Sequence, residues 1–102
     1  MSNIRIPPHA DDAERSILGA ILIDKNAIVD ISVVLKPEMF YNDNNGKIYE
    51  SMISLYENRD PIDVLTVSNW LKKEKILDRV GGKSYLAELS NEVPVASHVQ
   101  KY

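Results

Sequence analysis

Apolar residues along this chain recur at helical rather than strand spacing almost from end to end. After an opening arm that ends at Pro7-Pro8, Asp11 is placed to cap a first helix running to about Asp24, with Glu14 three residues on to reach back in a capping box. At about 100° per residue, Ala13, Ile17, Leu18, Ile21 and Leu22 share one apolar arc. Ser16, Gly19, Ala20 and Ile23 form a second arc of mostly small side chains, so this helix is expected to be buried on two sides. A second helix spans Ala27 to Leu35 and must stop before Pro37, which lacks an amide hydrogen and restricts its predecessor. Met39, Phe40 and Tyr41 then supply a short apolar anchor.

Asn42-Asp43-Asn44-Asn45 is a run of cap formers leading into the clearest amphipathic segment. There Ile48, Tyr49, Met52, Ile53, Leu55 and Tyr56 fill one arc, and Lys47, Glu50, Ser51, Ser54, Glu57 and Asn58 the other. Asn58-Arg59-Asp60-Pro61 reads as a turn, and Asp63 as the cap of a fourth helix that directs Val64, Val67, Trp70 and Leu71 inward. Gly81-Gly82 breaks the chain before a fifth helix, whose Leu86, Leu89 and Val93 face the core until Pro94. Val95 to Tyr102 resemble the first turns of a further helix that has been cut. The pattern predicts an all-α bundle of five or six short helices, divided into an arm (1–9), a helical domain (10–94) and the start of a truncated helix (95–102).

Composition narrows the classes. A length of 102 residues with 44% hydrophobic and 26% charged residues suits one small folded domain. The formal net charge of -3 gives no overall attraction to nucleic acid or to an anionic membrane. Charge is uneven, however: Lys72, Lys73, Lys75, Arg79 and Lys83, against Glu74 and Asp78, leave residues 72–83 with a local excess of three positive charges. With no cysteine, thiolate metal sites and disulfides are ruled out, and no apolar run approaches a signal peptide or a membrane span, which points to a cytoplasmic protein.

The candidate chemistry is that of contact rather than catalysis. No Gly-x-x-x-x-Gly-Lys-Ser/Thr loop is present to cradle phosphates, and His9 and His98 lie far apart without metal-type spacing. No serine has a histidine base at a recognisable spacing, so neither a catalytic group nor a cofactor is expected in this chain. Tyr85, Glu88 and Glu92, at i, i+3 and i+7, form an aromatic flanked by acids on a polar edge: a docking stripe, or else a half-buried tyrosine. Glu14 falls within an apolar arc, where it is either a cap or a functional carboxylate. Lys72, Lys73 and Lys75 suit the C-terminal end of the fourth helix, where the helix dipole favours cations, as well as they suit DNA.

Several of these residues form an ordered set. Pro7-Pro8, Asp12-Ala13-Glu14, Leu18-Gly19, Phe40-Tyr41, Ile48-Tyr49, Pro61-Ile62-Asp63, Gly81-Gly82, Tyr85-Leu86 and Pro94 resemble, in register, the N-terminal domain of the bacterial replicative DNA helicase, the DnaB family. Asn45, off the predicted core arc, stands where that family usually has histidine, and Ser97-His98 replaces its usual Ala-Asn. The resemblance implies a non-catalytic helical domain joined in the parent protein to an ATP- and magnesium-dependent motor that acts on DNA. It also implies a collar on a ring hexamer that recruits primase and loader proteins, with Tyr85 and Glu14 as partner-facing positions. Two other functions remain open: a nucleic-acid-binding module using Lys72, Lys73, Lys75, Arg79 and Lys83, and a generic helical adaptor.

Overall fold

Five α-helices and one 3₁₀ turn follow one another through residues 10–91, which are the residues that the computed structural model describes. They are α1 (Ala10–Ile23), α2 (Ala27–Val34), the 3₁₀ turn Pro37–Met39, α3 (Asp43–Glu57), α4 (Val64–Lys73) and α5 (Gly82–Asn91). The expected arm, Glu92, Val93, Pro94 and the expected truncated helix lie outside the described residues.

Local chemistry sets the boundaries. Asn42 caps α3, its Oδ1 accepting from the amides of Asn44 (2.8 Å) and Asn45 (3.2 Å). Asp63 caps α4 in a full capping box: its Oδ1 accepts from Thr66 N, and Thr66 Oγ1 accepts from Asp63 N. Helices α3 and α4 both end with paired reversed hydrogen bonds, Asp60 N to Leu55 O with Arg59 N to Tyr56 O, and Ile76 N to Leu71 O with Lys75 N to Lys72 O. Such an ending needs a left-handed residue, normally glycine. Arg59 (φ 62°) and Lys75 (φ 65°) occupy those positions instead.

Helix α3 is central, touching α1, α2, the 3₁₀ turn and α4, while α5 packs on α1 and α4. Ile48, Tyr49 and Met52 of α3 are fully buried with Leu18 and Ile21 of α1, Val67 and Leu71 of α4, and Leu86 and Leu89 of α5. The Phe40 and Tyr49 rings meet at 5.1 Å, and the Tyr49 hydroxyl donates to Leu35 O at 2.8 Å. Burial raises the Tyr49 pKa above its ordinary value. Gly46 lets α3 approach the 3₁₀ turn closely, since a Cβ there would lie 3.0 Å from Pro37 O.

Several side chains depart from the predicted arcs. On α1, Ala13, Ser16 and Ile23 are exposed, so the second arc reduces to buried Gly19 and half-buried Ala20. The described neighbours of α1 cover one broad side rather than two. Ser51, assigned to the outward arc of α3, is fully buried, its hydroxyl donating to Ile48 O at 2.6 Å. A small hydroxyl that satisfies itself on its own helix can sit beneath a neighbour at little cost. Tyr56, assigned inward, is 40% exposed. Trp70 is half-buried and directs Nε1 to Ser54 Oγ at 3.1 Å, so an amphipathic ring keeps its polar edge paired.

Candidate functional site

The capping of α3 by Asn42 places Asn45 one turn into the helix, facing inward, with no solvent exposure. A buried carboxamide must find partners for both its acceptor and its donor group. Asn45 Oδ1 accepts the Tyr85 hydroxyl of α5 at 2.7 Å. Its Nδ2 donates to two carboxylates of α1, Glu14 Oε1 at 3.1 Å and Asp11 Oδ1 at 3.3 Å. One side chain of α3 therefore ties α1 to α5. Its place off the predicted core arc is corrected accordingly: Asn45 is interior because polar partners from two other helices converge on it.

Glu14 is the second junction. Rather than returning to Asp11, its carboxylate accepts from the backbone amides of Tyr41 (2.6 Å) and Asn42 (3.3 Å) besides Asn45 Nδ2. The expected capping box at the start of α1 is thereby overturned. The helix already begins at Ala10, which makes Glu14 an interior position, and the segment entering α3 presents several donors where the helix start would offer one. Asp11 instead pairs with Arg15 at 2.6 Å, and Arg15 also reaches Asp12 at 2.6 Å.

Tyr85 is held from a third direction. Gly81 (φ +121°) lies so close that a Cβ there would stand 2.7 Å from Tyr85 Cβ and 2.8 Å from its Cγ. Only glycine lets the α4–α5 connection lie against this ring in that conformation. The ring is half-buried at the wall of an open cleft of about 290 Å³, which Asp11, Arg15, Asn44, Arg79 and Val80 also line. Carboxylates, amides and a phenol joined in this way fix a surface in one geometry. Among the described residues no group of three metal-ligating side chains converges.

The structure brings Tyr85 and Glu14 together and leaves the other predicted contacts apart. Glu88 is exposed further along α5, and Glu92 lies outside the described residues. Lys72, Lys73, Lys75, Arg79 and Lys83 are all exposed. Lys72 and Lys75 border a separate shallow hollow with Leu77 and Asp78, whereas Arg79 borders the Tyr85 cleft. Sequence patterning missed Asn45 and the Tyr41-Asn42 amides. The one available signal was that four consecutive cap formers exceed what a single cap requires.

Comparison with known proteins matches this architecture. The family described as "DnaB-like helicase N terminal domain" matches residues 6–102. The chain is 40% identical over 98 residues to the replicative DNA helicase DnaB of Geobacillus stearothermophilus, covering 96% of this chain and 22% of that protein. It is 39% identical over 100 residues to the replicative DNA helicase DnaC of Bacillus subtilis (strain 168), covering 98% and 22%. It thus spans about a fifth of the length of these relatives. The crystal structure of the N-terminal domain of DnaB helicase from Mycobacterium tuberculosis superposes with a TM-score of 0.82 at 37% identity, covering 87% of this chain and 64% of that one. Among the described residues no helix is long and apolar enough to cross a membrane. With its all-α fold and its matched sequence in agreement, the chain belongs to the DnaB-like helicase N-terminal domain family.

Proposed function

We propose that this domain works through protein contacts in DNA replication, as a collar module that joins sister helicase subunits and receives primase at the Tyr85–Glu14 surface. It carries no catalytic activity of its own and needs no cofactor. ATP and magnesium would serve the motor of the parent protein, and helicase loaders would share the same domain. Residues 10–94 would form the collar unit, with 95–102 leading toward the motor. The observation supporting this reading is the convergence of Tyr85, Glu14 and Asp11 on one buried amide beneath an open cleft. A rigid half-buried tyrosine is a type of anchor enriched at protein interfaces. The test is titration of a cognate primase C-terminal domain with this domain and with its Tyr85→Ala variant, read by calorimetry. A loss of affinity of about tenfold or more supports the assignment; unchanged affinity removes it.

A second reading gives DNA to Lys72, Lys73, Lys75, Arg79 and Lys83, favoured by their common exposure. Affinity for single-stranded DNA would then fall steeply with salt, because each neutralised phosphate releases counterions. No binding at low salt would dispose of it.

A further inference from the structure

We propose that Asn45 is the positioning residue of this surface, linking Tyr85 on α5 to the Tyr41-Asn42 segment so that the two move as one unit. The inference rests on the docking role of Tyr85 only for its biological meaning; the coupling itself is a property of the domain. Asn45 has no solvent exposure at the floor of the cleft it lines, so its influence on a partner is exerted through the groups it holds. Its acceptor holds the Tyr85 hydroxyl and its donor holds Glu14, whose carboxylate in turn holds the amides of Tyr41 and Asn42. The relay therefore runs from phenol to amide to carboxylate to backbone, through one side chain on each of three helices. At its far end stands the Tyr41 side chain, 65% exposed, with Met39, two residues earlier across buried Phe40, 60% exposed. A large exposed aromatic whose backbone is tethered to Tyr85 extends the docking surface beyond the cleft. A partner that shifts Tyr85 must change the hold on Tyr41.

The polarity of the relay is fixed. An amide offers an acceptor and a donor at once, whereas aspartate in the same shape keeps only the acceptor and would add a third carboxylate beside Glu14 and Asp11. Asn45→Asp should therefore retain the Tyr85 contact and lose the Glu14 contact. Tyr85→Phe does the opposite, removing only the hydroxyl while the ring stays against Gly81.

The decisive experiment is amide hydrogen exchange on the domain alone, which needs no partner. In Tyr85→Phe, exchange at the Tyr41 and Asn42 amides should accelerate by about tenfold, although both amides are hydrogen-bonded to Glu14 and not to the deleted atom. In an Asn45→Asp background the same Phe substitution should produce no further acceleration at those amides. If Tyr85→Phe leaves Tyr41 and Asn42 unchanged, or if the two substitutions act additively, the coupling is refuted. Should Asn45→Asp fail to fold, the Tyr85→Phe result alone decides. Primase titration is a separate arm. Failure of primase to bind the unaltered domain would end the docking role and leave the exchange result standing, whereas binding that survives Asn45→Asp undiminished in a folded domain would show that the coupling does not position the surface.

Discussion

Truncating Glu14 to alanine separates a helix-start residue from a long-range clamp. The substitution removes three accepted hydrogen bonds: Tyr41 N at 2.6 Å, Asn42 N at 3.3 Å and Asn45 Nδ2 at 3.1 Å. A hydrogen bond to a charged group contributes about 1.5 to 3 kcal/mol, and a neutral one about 1. The Tyr41 contact is exposed, so water replaces much of it, and Asn45 Nδ2 keeps its contact with Asp11 at 3.3 Å. Weighting the three accordingly gives a loss of about 2 to 3 kcal/mol. For a domain of this size that lowers Tm by about 10 to 20 °C. Urea unfolding followed by circular dichroism at 222 nm measures the free energy directly, and an unchanged m-value shows that the unfolding transition is the same. A cost of about half a kcal/mol or less, as expected for a first-turn acid acting only on the helix dipole, would refute the clamp.

Three further outcomes follow from local geometry. Lys75→Gly should stabilise the domain by about 0.5 to 1 kcal/mol, because Lys75 holds φ 65° where glycine carries no steric cost; a melting temperature that falls would contradict this. Gly81→Ala should destabilise by about 2 kcal/mol or more in a denaturant titration, since the new methyl meets Tyr85 Cβ at 2.7 Å and φ is +121°; wild-type stability would contradict it. The buried Tyr49 phenol keeps its proton in the folded state to a higher pH than in the unfolded chain, so its contribution is complete below pH 10.0 and is lost as pH rises through the raised folded value. Tyr49→Phe should therefore cost about 1 kcal/mol at neutral pH, from the Leu35 carbonyl left without its donor, and show a shallower alkaline decline; identical slopes would refute that.

The amino-acid sequence by itself determined where helices form and stop. Pro37, the Asn42–Asn45 run of cap formers, the Asp63 cap and the Gly81-Gly82 break are chemical statements about single backbone groups, and each stands at an observed boundary, whereas the expected Asp11 cap does not, because α1 already begins at Ala10. Helical spacing likewise marked Leu18, Ile21, Ile48, Met52, Val67, Leu71, Leu86 and Leu89 as interior, because burial of an apolar stripe needs no knowledge of what covers it. Tertiary structure alone decided which polar groups meet. Glu14 had a local partner available and took three distant donors, Ser51 went inside on its own helix's carbonyl, and Asn45 became the link between α1 and α5. Apolar burial is set by periodicity along one helix, whereas a hydrogen bond needs two atoms at one distance and angle, which only the packing of separate helices can fix.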